Sequence, residues 1–325
     1  MSGNSLRRRI VLVMMAALAV PCVAPAQGGA QKPAATPTDP VAAILASHKT
    51  ADDAYANAPM SPFTAVAVQY FSPGQAMRLG IGPSGAEFGT SPAAPDIIEL
   101  TLDAGAFWVT PVAGTPPLVV KTSGEGDVSG LPGAAVTGRT KLAPREVVRI
   151  GRFFVELYAR PDTGNARVFD PELPARTAYA GLKWYPPAPS LQVKARYVAN
   201  PTPAPVTITT SRGLRKEYFR VGTFEFSVDR TAQRLTVLAS VASPKAGDEL
   251  FVAFRDLTTG NETYEVGRYL FIPCAEAGGT YVLDFNKATN PLCNYSPHYN
   301  CPIPPKENLL TVPIRAGEMK YPARH

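Results

Sequence analysis

Apolar and polar residues alternate with a period of two through the second half of the chain. The clearest examples are the apolar series Leu191, Val193, Ala195, Tyr197 and the series Phe224, Phe226, Val228. This alternation is typical of β-strands that have one buried face and one solvated face. Comparable patterns predict further strands over 147–158, 234–239, 250–255, 267–272, 280–286 and 309–314. We therefore expect an all-β protein.

One helix is expected before these strands. Asp39 is a good N-cap, because its carboxylate can accept free backbone N–H groups, and proline is tolerated at the first helical position that follows. We place this short helix over residues 40–56. Turn residues separate the later strands at short intervals, which favours antiparallel sandwiches or barrels over strand–helix–strand units.

The start of the chain has the three zones of a secretory signal peptide. Arginines at 7–9 precede an apolar run over 10–20, and small residues lead to a cleavage site after Ala26. The run is shorter than the roughly 20 residues that a membrane-spanning helix needs. Pro21 stands before Cys22, which disfavours lipidation of that cysteine. We expect an exported protein, periplasmic or secreted, with no stable membrane anchor after cleavage.

Charge and composition exclude one class of partner. Cleavage would remove three arginines, so the 32 basic residues of the chain would fall to 29 against 26 acidic residues. The remaining cations are spread singly rather than clustered, which argues against nucleic-acid binding. The 34 prolines and 26 glycines fit many short strands joined by turns.

Four segments are expected along the chain. They are a signal peptide over 1–26, a flexible leader with the short helix over 27–59, a first β-sandwich over 60–165 and a C-terminal β domain over 166–325. The division near residue 165 follows a Pro-Asp-Thr-Gly turn, after which the alternation becomes stronger and more aromatic. A chain of this length can bury two modest cores.

Several short blocks in the C-terminal third have a distinctive order and spacing. They are Phe254-Arg255-Asp256, Gly267-Arg268-Tyr269-Leu270, Leu283-Asp284-Phe285-Asn286, Asn290-Pro291, Cys301-Pro302 and Ala316-Gly317-Glu318. These blocks resemble the uncharacterised bacterial family called domain of unknown function 1684, over most of residues 60–321. The resemblance implies that residues 84–100 belong to a sandwich similar to a forkhead-associated domain. It implies no reaction, because the family has no agreed biochemical role.

A polar cluster is expected on two of the late strands. If strands 267–272 and 280–286 pair as a hairpin, Arg268 lies opposite Asp284. Tyr264, Arg268, Asp284 and Asn286 would then converge on one site. We interpret them as ligand-binding residues for a small molecule or a cell-envelope component. The alternative is a buried ion pair that only fixes strand register.

Three cysteines follow the predicted signal peptide. In an oxidising compartment we expect a disulfide between Cys293 and Cys301, which leaves Cys274 unpaired. Zinc binding by these cysteines with His298 is a weaker alternative, because the spacing fits closed zinc sites only loosely. Segment 256–262 has oxygen ligands at alternate positions but lacks the glutamate that closes a calcium loop, so a tight turn is the simpler prediction. No cofactor is expected.

Non-catalytic binding is our leading functional hypothesis, with two alternatives. A hydrolase could use paired carboxylates, drawn from Asp256, Glu262, Asp284 and Glu318, or Cys293 as a nucleophile. The chain has only three histidines and no Gly-x-Ser-x-Gly motif, which disfavours a serine hydrolase. A structural envelope scaffold with exposed strand edges is the third hypothesis.

Overall fold

The computed structural model describes residues 39–82, 85–92, 96–112, 118–121, 133–144, 146–160, 163–275 and 280–322. The predicted signal peptide and residues 27–38, which include the predicted flexible leader, lie outside these residues. Helix α1 spans Pro40–Asn57, and the Asp39 carboxylate accepts a hydrogen bond from the Val41 amide at 2.9 Å. The predicted helix and its cap are therefore confirmed. Helix α2 is a single turn over Pro174–Thr177. Within the described residues, no helix has both the length and the apolar character needed to cross a membrane.

Within the described residues, eleven strands form the first β region. They are β1 Ala65–Phe71, β2 Ala76–Gly82, β3 Gly85–Gly89, β4 Asp96–Asp103, β5 Ala106–Pro111, β6 Leu118–Lys121, β7 Ala134–Ala135, β8 Thr140–Lys141, β9 Glu146–Ile150, β10 Phe153–Ala159 and β11 Gly164–Phe169. They make two antiparallel sheets, with strand orders β1-β11-β10-β9-β6-β7 and β3-β2-β4-β5-β8. Residues of both sheets share one apolar core, as Leu79 and Leu100 do with Val155 and Val168. Two sheets around one core make this region a β-sandwich, and its similarity to a forkhead-associated domain stays a prediction.

In the part of the second β region that the structure describes, there are six strands. They are β12 Gln192–Thr209, β13 Arg215–Val228, β14 Thr231–Ala239, β15 Glu249–Phe254, β16 Arg268–Pro273 and β17 Thr280–Asp284. They make one antiparallel, nearly closed, barrel-like sheet with the order β16-β15-β14-β13-β12-β17. The apolar residues of the alternating pattern point into its core, where Phe224, Leu235 and Leu283 are fully buried. The all-β fold class is confirmed.

A third apolar cluster joins the two β regions. It combines Phe154 and Phe169 of the sandwich with Leu238, Phe251 and Tyr269 of the second sheet. Strand β11 pairs with β1 and β10 and runs to Phe169, so it lies across the predicted division at residue 165. The division of the chain into four segments stays a prediction.

Two of the predicted strands are not single strands in the structure. Segment 147–158 is the hairpin of β9 and β10, because Gly151 adopts a positive φ of 57° and turns the chain. Segment 309–314 does not belong to a sheet, because the chain bends at residues 311 and 312 and Leu309 forms only an isolated bridge with Arg255. The predicted turn at 256–262 is confirmed, with Gly260 at a φ of 89°.

Candidate functional site

The predicted convergence of four residues on one hairpin is wrong. Strand β16 pairs with β15, which places Arg268 beside Phe254, and β17 pairs with β12, which places Asp284 beside Gln192. Strands β16 and β17 are therefore the two edges of the nearly closed sheet, although they follow each other in sequence. Arg268 and Asp284 cannot face each other as hairpin partners. The four residues lie in three separate environments.

Arg268 forms a buried ion pair with a different carboxylate. Its guanidinium is fully buried and donates to Asp256 Oδ2 at 2.9 Å and to the Ile314 carbonyl at 2.7 Å. It also donates to the Ala316 carbonyl, so the guanidinium fastens the C-terminal segment to the sheet. Asp256 Oδ1 meanwhile accepts from the amide and hydroxyl of Thr258 in the adjoining turn. This arrangement matches the structural alternative, with Asp256 as the partner.

Tyr264 lies beside the cysteine pair. Its hydroxyl donates to the Cys293 carbonyl at 3.3 Å, and the Cys293 amide donates to Cys301 Sγ at 3.3 Å. Cys274, Cys293 and Cys301 are all free thiols, so the expected disulfide is not formed in this structure. The thiol–thiol hydrogen bond lowers the pKa of Cys293 to about 7 against the effect of burial, and it raises that of Cys301. Within the described residues, no three His, Cys, Asp or Glu side chains are grouped as a metal site would require.

Asp284 ends strand β17 and caps the single-turn 3-10 helix Phe285–Lys287. Its Oδ1 accepts from the backbone amide of Asn286 at 3.1 Å and from the side-chain amide of Asn286 at 3.0 Å. Its Oδ2 accepts from Gln192 Nε2 on the neighbouring strand at 3.0 Å. Both oxygens are therefore held by the protein, and Oδ2 keeps a lone pair for another donor.

Asn286 connects three parts of the chain. Its side chain exchanges two hydrogen bonds with the backbone of Ala188, at 2.8 and 2.9 Å, and its carbonyl accepts from His48 Nε2 at 2.7 Å. The residue is almost fully buried, at 1% exposure. All the polar groups of its side chain are thus engaged within the protein. Asn286 therefore connects these segments and offers no free polar group to a ligand.

His48 attaches helix α1 to this position. Its ring stacks on Trp184, with centroids 3.9 Å apart and planes 11° apart. Burial lowers the pKa of His48, against the opposing effects of the Asn286 carbonyl and the Asp284 charge. The imidazole is therefore neutral at neutral pH. Since Nε2 faces a carbonyl, it carries the proton, and Nδ1 is left as an acceptor.

These groups line a small cavity that we call the helix–sheet pocket. Its volume is about 130 Å³. Helix α1 contributes Ala43, Ile44, Ser47 and His48, and the sheet side contributes Gln192, Asp284, Asn286 and Lys287. Lys287 is exposed, and its ammonium forms no salt bridge within the part of the chain that the structure describes. One cavity is therefore lined by an aspartate, a lysine and a serine residue.

The other carboxylates of the hydrolase hypothesis are engaged elsewhere. Asp256 pairs with Arg268, and Glu262 accepts from both Arg315 and the Tyr185 hydroxyl. Glu318 is buried, and its Oε2 accepts from the Asn290 amide and the Tyr295 hydroxyl. Only Asp284 lines the helix–sheet pocket. The paired carboxylates of a glycosidase are therefore not in the lining of this pocket.

Sequence reasoning missed His48, Trp184 and Gln192. His48 follows Ile44 by four residues, so the two share a helix face, and both are buried. This spacing could have identified the helix face that contacts the rest of the protein. Gln192 needed the pairing of β12 with β17, which joins positions 92 residues apart. No local pattern in the sequence contains that information.

Comparisons with known proteins place the chain in a family. The family described as protein of unknown function (DUF1684) matches residues 177–319. The solution structure of an uncharacterized protein from Haloarcula marismortui is 34% identical, over 45% of this chain and 80% of that one, with a TM-score of 0.39. The chain belongs to the DUF1684 family. No curated protein matches it.

The DUF1684 match contains only part of the candidate site. Asp284, Asn286 and Gln192 lie within the matched residues, whereas His48 and the rest of helix α1 precede them. One wall of the helix–sheet pocket therefore comes from outside the matched region.

Proposed function

We propose that this protein is an exported, non-catalytic binding protein that holds a small zwitterionic molecule in the helix–sheet pocket. The observation that carries the proposal is the presence of Asp284 and Lys287 in the walls of one cavity. A ligand ammonium would approach Asp284 Oδ2, and a ligand carboxylate or other acidic group would approach the Lys287 ammonium. Free amino acids and the amino-sugar acids of a cell envelope share this chemistry.

The size and rigidity of the pocket support a small ligand. The cavity of about 130 Å³ is slightly smaller than one of roughly 150 Å³ that holds benzene, and alanine has as many non-hydrogen atoms as benzene. Asp284 is fixed by Gln192 and Asn286, so little side-chain ordering is needed when a ligand binds. The remaining site candidates, Tyr264 and Arg268, lie outside this pocket and take no part in the proposal.

A set of three related ligands tests the charge requirement. Alanine should shift the NMR signals of His48 and of residues 284–287, whereas propionate and ethylamine, which each lack one charge, should bind more weakly. Lys287→Gln should weaken alanine binding about fivefold, the value expected of one exposed charge pair. Lys306→Gln, the same change at an exposed lysine outside the pocket, should leave it unaltered. Equal binding of all three ligands would refute the proposal.

Export and disulfide formation form a second part of the proposal. In an oxidising compartment, the Cys293 thiolate would attack the disulfide of an oxidant, and Cys301 would then displace the oxidant's thiol. The two thiols would lose two hydrogens, and the oxidant's disulfide would become two thiols. The pKa of about 7 that the Cys301 hydrogen bond gives Cys293 favours this first step.

Mass spectrometry of the protein from the periplasm or culture medium tests both points. We expect a chain that begins at Gln27, with a mass lower by two hydrogens than after treatment with a reducing agent. Cys274→Ser should keep this difference, and Cys301→Ser should abolish it. A chain that retains residues 1–26 would contradict export with cleavage after Ala26. A mass that reduction leaves unchanged would contradict the disulfide.

A further inference from the structure

A group of basic side chains lies at the junction of the two β regions. Lys216 is two residues from Tyr218 on β13, so the two side chains share a face of that strand, and Tyr218 packs against the apolar cluster that joins the regions. Arg167 is related in the same way to Phe169, a buried member of that cluster on β11. Arg160 directly follows the end of β10. We call Arg160, Arg167 and Lys216 the basic cluster.

The three cations of the basic cluster lie close together. Arg160 Nε donates to the Tyr158 hydroxyl at the end of β10, and its guanidinium lies 5.3 Å from the centre of the Tyr158 ring. Burial lowers the pKa of Lys216, and the charges of Arg167 and Arg160 lower it further, against the opposite effect of Cys301. Both β regions therefore contribute positive charge to one place.

The protein balances one of these three charges. Arg167 Nη2 lies 2.9 Å from Glu156 Oε2 on the neighbouring strand β10. Arg160 and Lys216 form no salt bridge within the residues that the structure describes, and the Lys216 ammonium has no hydrogen-bond partner there. Two positive charges are thus left without a paired carboxylate.

The free donors of the basic cluster keep contact with solvent. Lys216 and Arg160 are partly buried, and Lys216 Nζ and the two terminal nitrogens of Arg160 retain accessible surface. Arg167 Nε, in contrast, is buried without a partner, so we assign no ligand contact to it. A partly desolvated cation attracts an anion more strongly than a fully hydrated one, because the surrounding dielectric constant is lower.

We infer that the basic cluster binds a phosphate group with two negative charges, either free or as a monoester. Arg160 would donate through its two terminal nitrogens, and Lys216 would donate from the other β region. The two charges of the ligand match the two charges that the protein leaves unpaired. None of these residues lines the helix–sheet pocket, so this site is independent of the first one.

Inorganic phosphate at about pH 8, where it is mainly a dianion, tests the charge requirement. In an NMR titration it should shift the signals of residues 160, 167 and 216. Nitrate has one negative charge, so at the same ionic strength it should bind about tenfold more weakly. The absence of shifts at these residues, or equal binding of the two anions, would overturn the proposal.

Two matched lysine variants separate a binding site from general charge attraction. Lys216→Gln should weaken phosphate binding about tenfold, because one charge-assisted hydrogen bond is lost. Lys194→Gln is the same change at an exposed lysine on the neighbouring strand β12, and it should leave phosphate binding unaltered. Equal phosphate affinities in the two variants would show that only net charge matters and would overturn the proposal.

A variant in the first β region keeps the test decisive if Lys216→Gln does not fold. Arg160→Gln should also weaken phosphate binding about tenfold, because it removes the donors on the opposite side of the site. An unchanged phosphate affinity in Arg160→Gln would overturn the proposal. The alanine titration of the helix–sheet pocket should be unaltered in both variants, so the failure of one site is distinguishable from the failure of the other.

Methyl phosphate distinguishes the two sources of the phosphate group. It keeps both negative charges and replaces one oxygen with a methyl ester. Binding as strong as that of inorganic phosphate would support a monoester as the ligand, whereas binding of inorganic phosphate alone would support free phosphate. If neither compound binds, the proposal is wrong.

Discussion

Glu318 is the buried carboxyl group with the clearest consequence for stability. It is 1% exposed, and its Oε2 accepts from the Asn290 amide and the Tyr295 hydroxyl. Burial raises the pKa of Glu318 from the ordinary 4.5 to about 7, against the opposing effects of these donors and of Arg268. The folded protein therefore retains a proton here at pH values at which the unfolded chain has lost it.

This retained proton predicts a pH dependence of stability. Below pH 4.5 both states are protonated, and between pH 4.5 and about 7 only the unfolded chain ionises, so the free energy of unfolding falls as pH rises. A shift of this size corresponds to roughly 3 kcal/mol. Glu318→Gln should remove this slope, which urea unfolding at several pH values would measure.

The titration of His48 changes the free energy of unfolding with pH in the opposite direction. The comparison of the wild type with Glu318→Gln must cancel this contribution. Its lowered pKa makes the folded protein bind fewer protons than the unfolded chain below about pH 6.5, so its contribution rises with pH. The difference between the wild type and Glu318→Gln isolates the carboxyl group, because both retain His48. An identical pH profile for the two proteins would contradict a protonated Glu318.

Helix α1 is held to the rest of the fold mainly by one buried face. His48 stacks on Trp184 and donates to Asn286, and Asp52 accepts from the Leu182 amide on the same side of the helix. His48→Ala would remove the stacking and leave the Asn286 carbonyl without its donor, at a cost of about 2–3 kcal/mol. We expect faster proteolysis within residues 39–58 in this variant.

An exposed neighbour gives the matched control for that change. Lys49→Ala removes only an exposed ion pair with Asp53, which is worth about 0.5 kcal/mol or less. Its proteolysis should resemble that of the wild type. His48→Phe keeps a ring to stack on Trp184 but cannot donate, so it should lie between the two. Equal cleavage rates in His48→Ala and Lys49→Ala would refute this account of how the helix is attached.

Most individual elements of this fold were predictable from local pattern. The N-cap at Asp39 and the alternation through 224–228 depend on neighbouring residues alone, and both were predicted correctly. The prediction of one strand over 147–158 failed because apolar residues on both sides of Gly151 concealed the turn. Segment 309–314 has a strand-like pattern, but only Leu309 pairs, with Arg255 through an isolated bridge.

The site depends on the arrangement of the whole molecule, which local pattern does not specify. The hydrogen bond from His48 to Asn286 joins residues 238 positions apart in sequence. The alternative of a buried ion pair named Asp284 as the partner of Arg268, whereas the structure pairs Arg268 with Asp256. Sequential strands usually pair, but here β16 pairs with β15 and β17 pairs with β12, so the two strands form the two edges of the sheet.

Arg268 binds the C-terminal segment, so the second β region can pack fully only after that segment has been made. The guanidinium donates to the carbonyls of Ile314 and Ala316. The next residue, Gly317, accepts a hydrogen bond from the Tyr185 amide through its carbonyl. A larger residue would not fit at position 317, because an added Cβ would lie 2.6 Å from the Ala288 carbonyl oxygen. During synthesis, Arg268 leaves the ribosome long before the Ile314 and Ala316 carbonyls do. The guanidinium must stay hydrated until residues 314–317 have been added, so native packing of the second β region follows their synthesis.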